Sequence, residues 1–222
     1  YVAERQLRAS DFAGGLGHSE NAEWKTVAWD SRSRRPVSPQ GAIGYRWEGA
    51  GNWNLEERDG ATGEQIRPVL SMVDAGAAEE AGAATEAGAG EPASGAATVA
   101  VGFPYFGNQP HDHFTGTDHP DVLVRNVPAM RVELADGEAV VTTVFDLLAA
   151  NYGVDRGLGG DYVAESYEDD VPHTPAWQER ITGVPPERVI AVAREFAEVA
   201  EKSNGRSMVI LGAGINHWYN GD

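Results

Sequence analysis

Between residues 186 and 202 apolar side chains recur every three or four positions: Val189, Val192, Ala193, Phe196, Val199 and Ala200. This is the period of one helix face, and it predicts an amphipathic helix that buries that stripe. Glu187, Arg188, Arg194, Glu195, Glu198, Glu201 and Lys202 fall mostly on the other side. Pro185 and Pro186 start the helix and Gly205 stops it. The run that follows, Ser-Met-Val-Ile-Leu (207–211), is short and apolar without alternation. Such a run suits a strand covered on both faces. It ends in Gly212-Ala213-Gly214, and Ile215, Asn216 and His217 come next. Upstream, Thr174 is a plausible N-cap with Pro175 at the first helical position, for a short helix over 176–181 that Thr182-Gly183 ends.

A second helical stripe, Phe145, Leu147, Leu148 and Tyr152, predicts a helix over 143–153 with Gly153 as its stop. The segment ahead of it reads as strands at 99–103, 122–124, 130–134 and 139–143, with Asp136-Gly137 as a hairpin turn between the last two. Near the start, residues 5–12 followed by Gly14, Gly15 and Gly17 predict a short helix closed by glycines. Residues 24–29 alternate as a strand does, and Asp30 opens a turn. Arg32, Arg34 and Arg35 form a small basic cluster that reads as a solvated loop, and Ser38-Pro39-Gln40-Gly41 is turn chemistry. The aromatic stretches 44–47 and 52–55 would pin an irregular segment onto a core.

These patterns divide the chain into four parts. Residues 1–73 form a loop- and aromatic-rich α/β segment. Residues 74–98 are Ala, Gly and Glu in low complexity with almost no large apolar side chain, so ordering them has little to offset its entropy. Residues 99–142 are β-rich, and 143–222 give a helix-helix-strand unit. The fold class is α/β.

Composition narrows what such a chain does. With a formal net charge of −17 and a pI near 4.6, its 222 residues repel phosphate backbones, so no nucleic-acid partner is expected. The absence of cysteine removes disulfides, thiolate-bound zinc and iron–sulfur ligands from this sequence. No run approaches the roughly eighteen apolar residues of a membrane span, and no signal-peptide pattern opens the chain. A terminal strand with no following helix, and Tyr1 at the start, look like a piece of something longer. His111, Asp112, His113 and His119 could bind zinc by residue type, but their surroundings are Gly-, Pro- and Asp-rich loop. Glu168-Asp169-Asp170 could bind calcium, yet reads better as part of a solvated acidic loop over 155–170.

The end of the last strand carries the sharpest chemistry. Ligands of open α/β sheets bind outside the carboxyl ends of strands, and glycines there let a ligand approach bare backbone. Gly-Ala-Gly alone is a weak motif. Its context is stronger: Ile-Thr-Gly-Val-Pro (181–185), a helix carrying Val-Ala-Arg-Glu-Phe-Ala (192–197), then an apolar strand ending in Gly-x-Gly. This succession resembles the molybdopterin oxidoreductase (DMSO reductase) superfamily. Within it, four stretches resemble the catalytic alpha subunits of membrane-bound respiratory nitrate reductases. They are Gly-Tyr-Arg-Trp (44–47) with Trp-Asn-Leu-Glu (53–56); Val-Gly-Phe-Pro-Tyr-Phe-Gly (101–107); Thr-Val-Phe-Asp-Leu-Leu (143–148) with Ala-Asn-Tyr-Gly-Val-Asp-Arg-Gly-Leu (150–158); and residues 205–219. The resemblance covers nearly everything outside the Ala/Gly/Glu insertion.

It implies a fragment of a DMSO-reductase-like fold, in which 143–222 begin a Rossmann-like cofactor-binding layer. It also implies reduction of nitrate to nitrite at a molybdenum bis(molybdopterin guanine dinucleotide), with electrons from quinol delivered through iron–sulfur clusters. The cofactor-contact candidates it implies are Gly212, Ala213, Gly214, Ile215, Asn216 and His217. Backbone N–H groups and small residues can approach a pterin or a diphosphate, while Asn and His add directional hydrogen bonds. No residue here matches the family's carboxylate ligand to molybdenum or its iron–sulfur ligands, so no catalytic residue and no metal ligand is expected in this chain. The implied partners are an iron–sulfur beta subunit and a cytochrome b gamma subunit, with a peripheral location on the cytoplasmic face of the cell membrane. Alternatives are a selenate or chlorate reductase of the same superfamily, or a non-catalytic α/β binding module. Exposed apolar surface is expected wherever neighbours would cover it.

Overall fold

A computed structural model describes residues 5–40, 57–77, 97–104, 122–203, 205–210 and 212. In order, the elements are β1 (Ala28–Asp30), β2 (Arg35–Val37), α1 (Met72–Ala77), β3 (Ala97–Pro104), β4 (Val122–Leu134), β5 (Gly137–Val141), α2 (Val144–Asn151), α3 (Pro175–Thr182) and α4 (Pro186–Lys202). Two sheets form among the described residues, β1-β2 and β3-β4-β5, and all three ladders are antiparallel. The chain is thus mixed α/β with small sheets.

Residues 5–12 do not make the expected helix. They form a three-residue 3-10 turn, Ala9–Asp11. The Asp11 carboxylate accepts from the Arg8 backbone N–H at 2.6 Å and from the Arg5 guanidinium at 2.7 and 2.8 Å. A side chain that bonds local backbone offers an alternative to helix growth. The strand expected over 24–29 narrows to β1, which turns through 31–34 into β2. Asp30, 2% exposed, organises that turn: it accepts from Arg32 N–H, Ser33 N–H, the Ser33 hydroxyl and, across the segment, Arg67 N–H at 2.6 Å. The basic cluster is not wholly a solvated loop either. Arg35 lies in β2 and reaches the buried Asp59 at 3.1 Å. Ser38 is buried and donates to the Thr26 carbonyl at 2.9 Å.

The stretches expected as two strands, 122–124 and 130–134, are one strand of thirteen residues. β3 pairs with its first half (Phe103↔Leu123, Thr98↔Pro128) and β5 with its second (Met130↔Val141, Leu134↔Gly137). Pro128 sits at the handover. Its carbonyl accepts from the Thr142 hydroxyl at 2.7 Å, and a strand residue directs N and O to the same edge. The N–H that proline lacks therefore faces a side where no ladder bond is required. The hairpin turn is Ala135-Asp136, one residue earlier than the motif suggested, and Gly137 opens β5 at φ 143°.

Val101, Phe103 and Val127 make the core under this sheet, with Val99, Leu147 and Ala150 against it. α2 covers it, capped as the sequence indicates by the Thr143 hydroxyl, which accepts from Asp146 N–H at 3.0 Å. The buried face of α2 is not the expected stripe, however. Phe145, Leu148 and Tyr152 are exposed, while Asp146 and Ala149 are buried. Asp146 is drawn inward by its partners. Its carboxylate accepts from the Ser71 hydroxyl (2.7 Å), Met72 N–H (2.8 Å), the Thr143 hydroxyl (2.8 Å) and the Arg156 guanidinium (2.7 Å). Arg125 also points inward, on β4. It donates to the carbonyls of Ala150 and Asn151 (both 2.8 Å), Asp161 (2.7 Å) and Tyr162 (3.2 Å).

Burial alone would raise the Asp146 pKa. The bonds from Met72, Ser71, Thr143 and Arg156 outweigh it and hold the group below its ordinary value of 3.8. A depressed folded-state value means that this contribution is present above about pH 3.8 and is lost as pH falls below it. Asp146→Asn strands a largely buried guanidinium and is expected to lower stability by about 3 kcal/mol, with a weaker acid dependence, in urea titrations across pH. Gly160→Ala should destabilise comparably by the same assay, because a Cβ there meets the Arg125 backbone at 2.6 Å.

Candidate functional site

The candidate site lies at the end of a three-step unit: α3, α4 and the chain beyond. Thr174 starts α3 as the sequence indicates, its hydroxyl accepting from Trp177 N–H at 3.1 Å and lying 2.7 Å from the Asp169 carbonyl. Pro175 holds the first helical position, and Gly183, at φ 71°, closes α3 by donating to the Glu179 carbonyl at 2.7 Å. Gln178 bridges to the Val184 carbonyl at 2.7 Å and steadies the turn into α4. α4 runs through the predicted range. After it Gly205, at φ 82°, bonds back to the Ala200 carbonyl, and the Ser207 hydroxyl reaches the Phe196 carbonyl at 3.1 Å.

Two expectations fail here. First, the α4 stripe is not buried among the described residues. Val192, Ala193, Phe196 and Val199 are exposed, and Val189 and Ala200 are half-buried. α3 is the main element against this helix, and it is too short to cover the stripe. Second, residues 206–210 form no strand. A strand needs a neighbour to take its N–H and C=O groups, and none of the described strands lies beside it. Met208, Val209 and Ile210 are left 73%, 74% and 82% exposed.

Of the six candidate residues, Gly212 alone falls among those described. A Cβ built on it meets nothing within 4 Å. Ala213, Gly214, Ile215, Asn216 and His217 lie outside the described residues, as do the aromatic stretches 44–47 and 52–55 and His111, Asp112, His113 and His119. No group of three His, Cys, Asp or Glu side chains gathers among the described residues. The acidic run at 168–170 serves its own loop. Asp169 accepts from Glu165 N–H and Ser166 N–H at 2.8 and 2.9 Å, which keeps its pKa low, and Asp170 pairs with Arg180 at 2.6 Å. Beside it, Ser166, Tyr167 and Glu168 face Glu187, Ile190 and Arg194 of α4 across an open cleft.

The sequence reading missed His173. Its ring stands edge-on to Tyr152 at 5.2 Å and to Trp177 at 5.8 Å, and its backbone is left-handed at φ 73°. No periodicity announces such a residue; the only local signal is its place between Pro172 and a helix cap.

Comparison with known proteins decides the affiliation. The chain is 46% identical over its whole length to respiratory nitrate reductase 1 alpha chain of Escherichia coli K12, and 42% identical to the nitrate reductase alpha chain of Bacillus subtilis 168. It is homologous throughout to a segment of nitrate reductase alpha chains. The segment is small: the chain spans 16% of the length of each of these two relatives. A Mycobacterium tuberculosis nitrate reductase alpha subunit is 37% identical over 92% of the chain, covering 14% of that protein. No family model matches. Among the described residues, no helix is long and apolar enough to cross a membrane.

An alpha-chain segment with an open apolar stripe should associate when prepared alone. Replacing Val192 and Phe196 by Lys is expected to shift it toward monomer in size-exclusion chromatography with light scattering. Its unfolding free energy should change by less than about 1 kcal/mol, because exposed positions carry little stability.

Proposed function

We propose that the chain is the part of a respiratory nitrate reductase catalytic subunit that walls one side of a molybdenum bis(molybdopterin guanine dinucleotide), within a DMSO-reductase-like fold. The observation that carries this reading is the 46% identity along the entire chain to an alpha chain of that name. On this reading the six residues act as a backbone wall and not as a set of metal ligands. What supports it at Gly212 is that the glycine follows the exposed apolar residues 208–210 and that a Cβ built on it meets nothing within 4 Å. Gly212, Ala213 and Gly214 would let the pterin or its diphosphate approach main-chain N–H groups, and Asn216 and His217 would orient it by hydrogen bonds.

When bound, the molybdenum centre supplies the two-electron chemistry that converts nitrate to nitrite, fed from quinol through iron–sulfur clusters. The chain's own residues hold and orient that group; ligands to molybdenum and to the clusters would come from elsewhere in the subunit. In the assembled enzyme the segment would belong to a peripheral subunit on the cytoplasmic face of the membrane, with iron–sulfur beta and cytochrome b gamma subunits. The division at 73/74, 98/99 and 142/143 is proposed on composition, with 143–222 as the start of the Rossmann-like layer.

Gly212→Val in a full-length alpha chain should reduce bound pterin, read as fluorescence after oxidative release, by tenfold or more. Nitrite formation with reduced viologen should fall in parallel. Full loading and full turnover would remove Gly212 from the site. The 222 residues alone should form no nitrite, and a nitrate, selenate and chlorate panel on the full-length enzyme separates the candidate substrates.

A further inference from the structure

We draw no further inference here: the strongest candidate, the apolar surface that Phe145, Leu148 and Tyr152 of α2 share with the His173 and Trp177 rings at the start of α3, carries nothing because no feature of the structure shows what covers it.

Discussion

An eight-residue helix, α2, is fixed at both ends by a buried charge, and the sheet-bearing half of the molecule depends on that arrangement. At its N-terminal turn the Asp146 carboxylate accepts from residues 71, 72, 143 and 156. At its C-terminal end the Arg125 guanidinium takes the carbonyls of Ala150 and Asn151. Each charge has the sign that the helix dipole favours at its end. A helix of this length is marginal by its own propensity. Both groups are nearly inaccessible, at 0% and 1%, so each must be fully satisfied or be strongly destabilising. The requirement reaches outward: Ser71 and Met72 bring α1, Arg156 brings the following loop, and Asp161 and Tyr162 fold that loop over β4.

These pins explain how much of the fold could be read from sequence. Local chemistry was legible. Thr143 and Thr174 cap the helices they precede, Pro175 and Gly183 bound α3, and α4 occupies its predicted range. Which face of α2 turns inward was not legible, because hydrogen bonds from Ser71, Met72, Thr143 and Arg156 to one carboxylate override an apolar stripe, and all four donors lie outside the helix. β4 was misread as two strands for a related reason. Asn126 and Pro128 break its apolar pattern, but the Asn126 amide is taken by the Leu158 carbonyl and Pro128 falls at the change of partner. Partners distant in sequence decided both cases.

The candidate site divides in the same way. Its approach is visible in the structure: a capped α3, a hairpin turn, α4 and the exposed apolar residues 208–210, with Gly212 exposed as well. Its polar groups, Asn216 and His217, lie outside the described residues. Where α3 begins, the His173 ring stands edge-on to Tyr152 at the end of α2 and to Trp177 in the first turn of α3.

Energetics favour completion of this unit by more protein. Val192, Phe196 and Val199 on α4, with Met208, Val209 and Ile210 after it, are six large apolar side chains left in water. At roughly 1.5–3 kcal/mol for each side chain fully buried, the unrealised stabilisation is on the order of 10 kcal/mol, comparable with the whole stability of a typical domain. A one-sided patch could be an interface between subunits. Met208, Val209 and Ile210 are three successive exposed apolar residues; in a strand such a run presents apolar groups to both faces, which is the pattern of a strand inside a sheet. The exposed stripe of α4 would then lie against that sheet, and the glycine at the strand's carboxyl end would open onto the crevice where ligands of such sheets bind. The features that look unfinished in the isolated chain are therefore the ones that its relatives, about six times longer, have the length to complete.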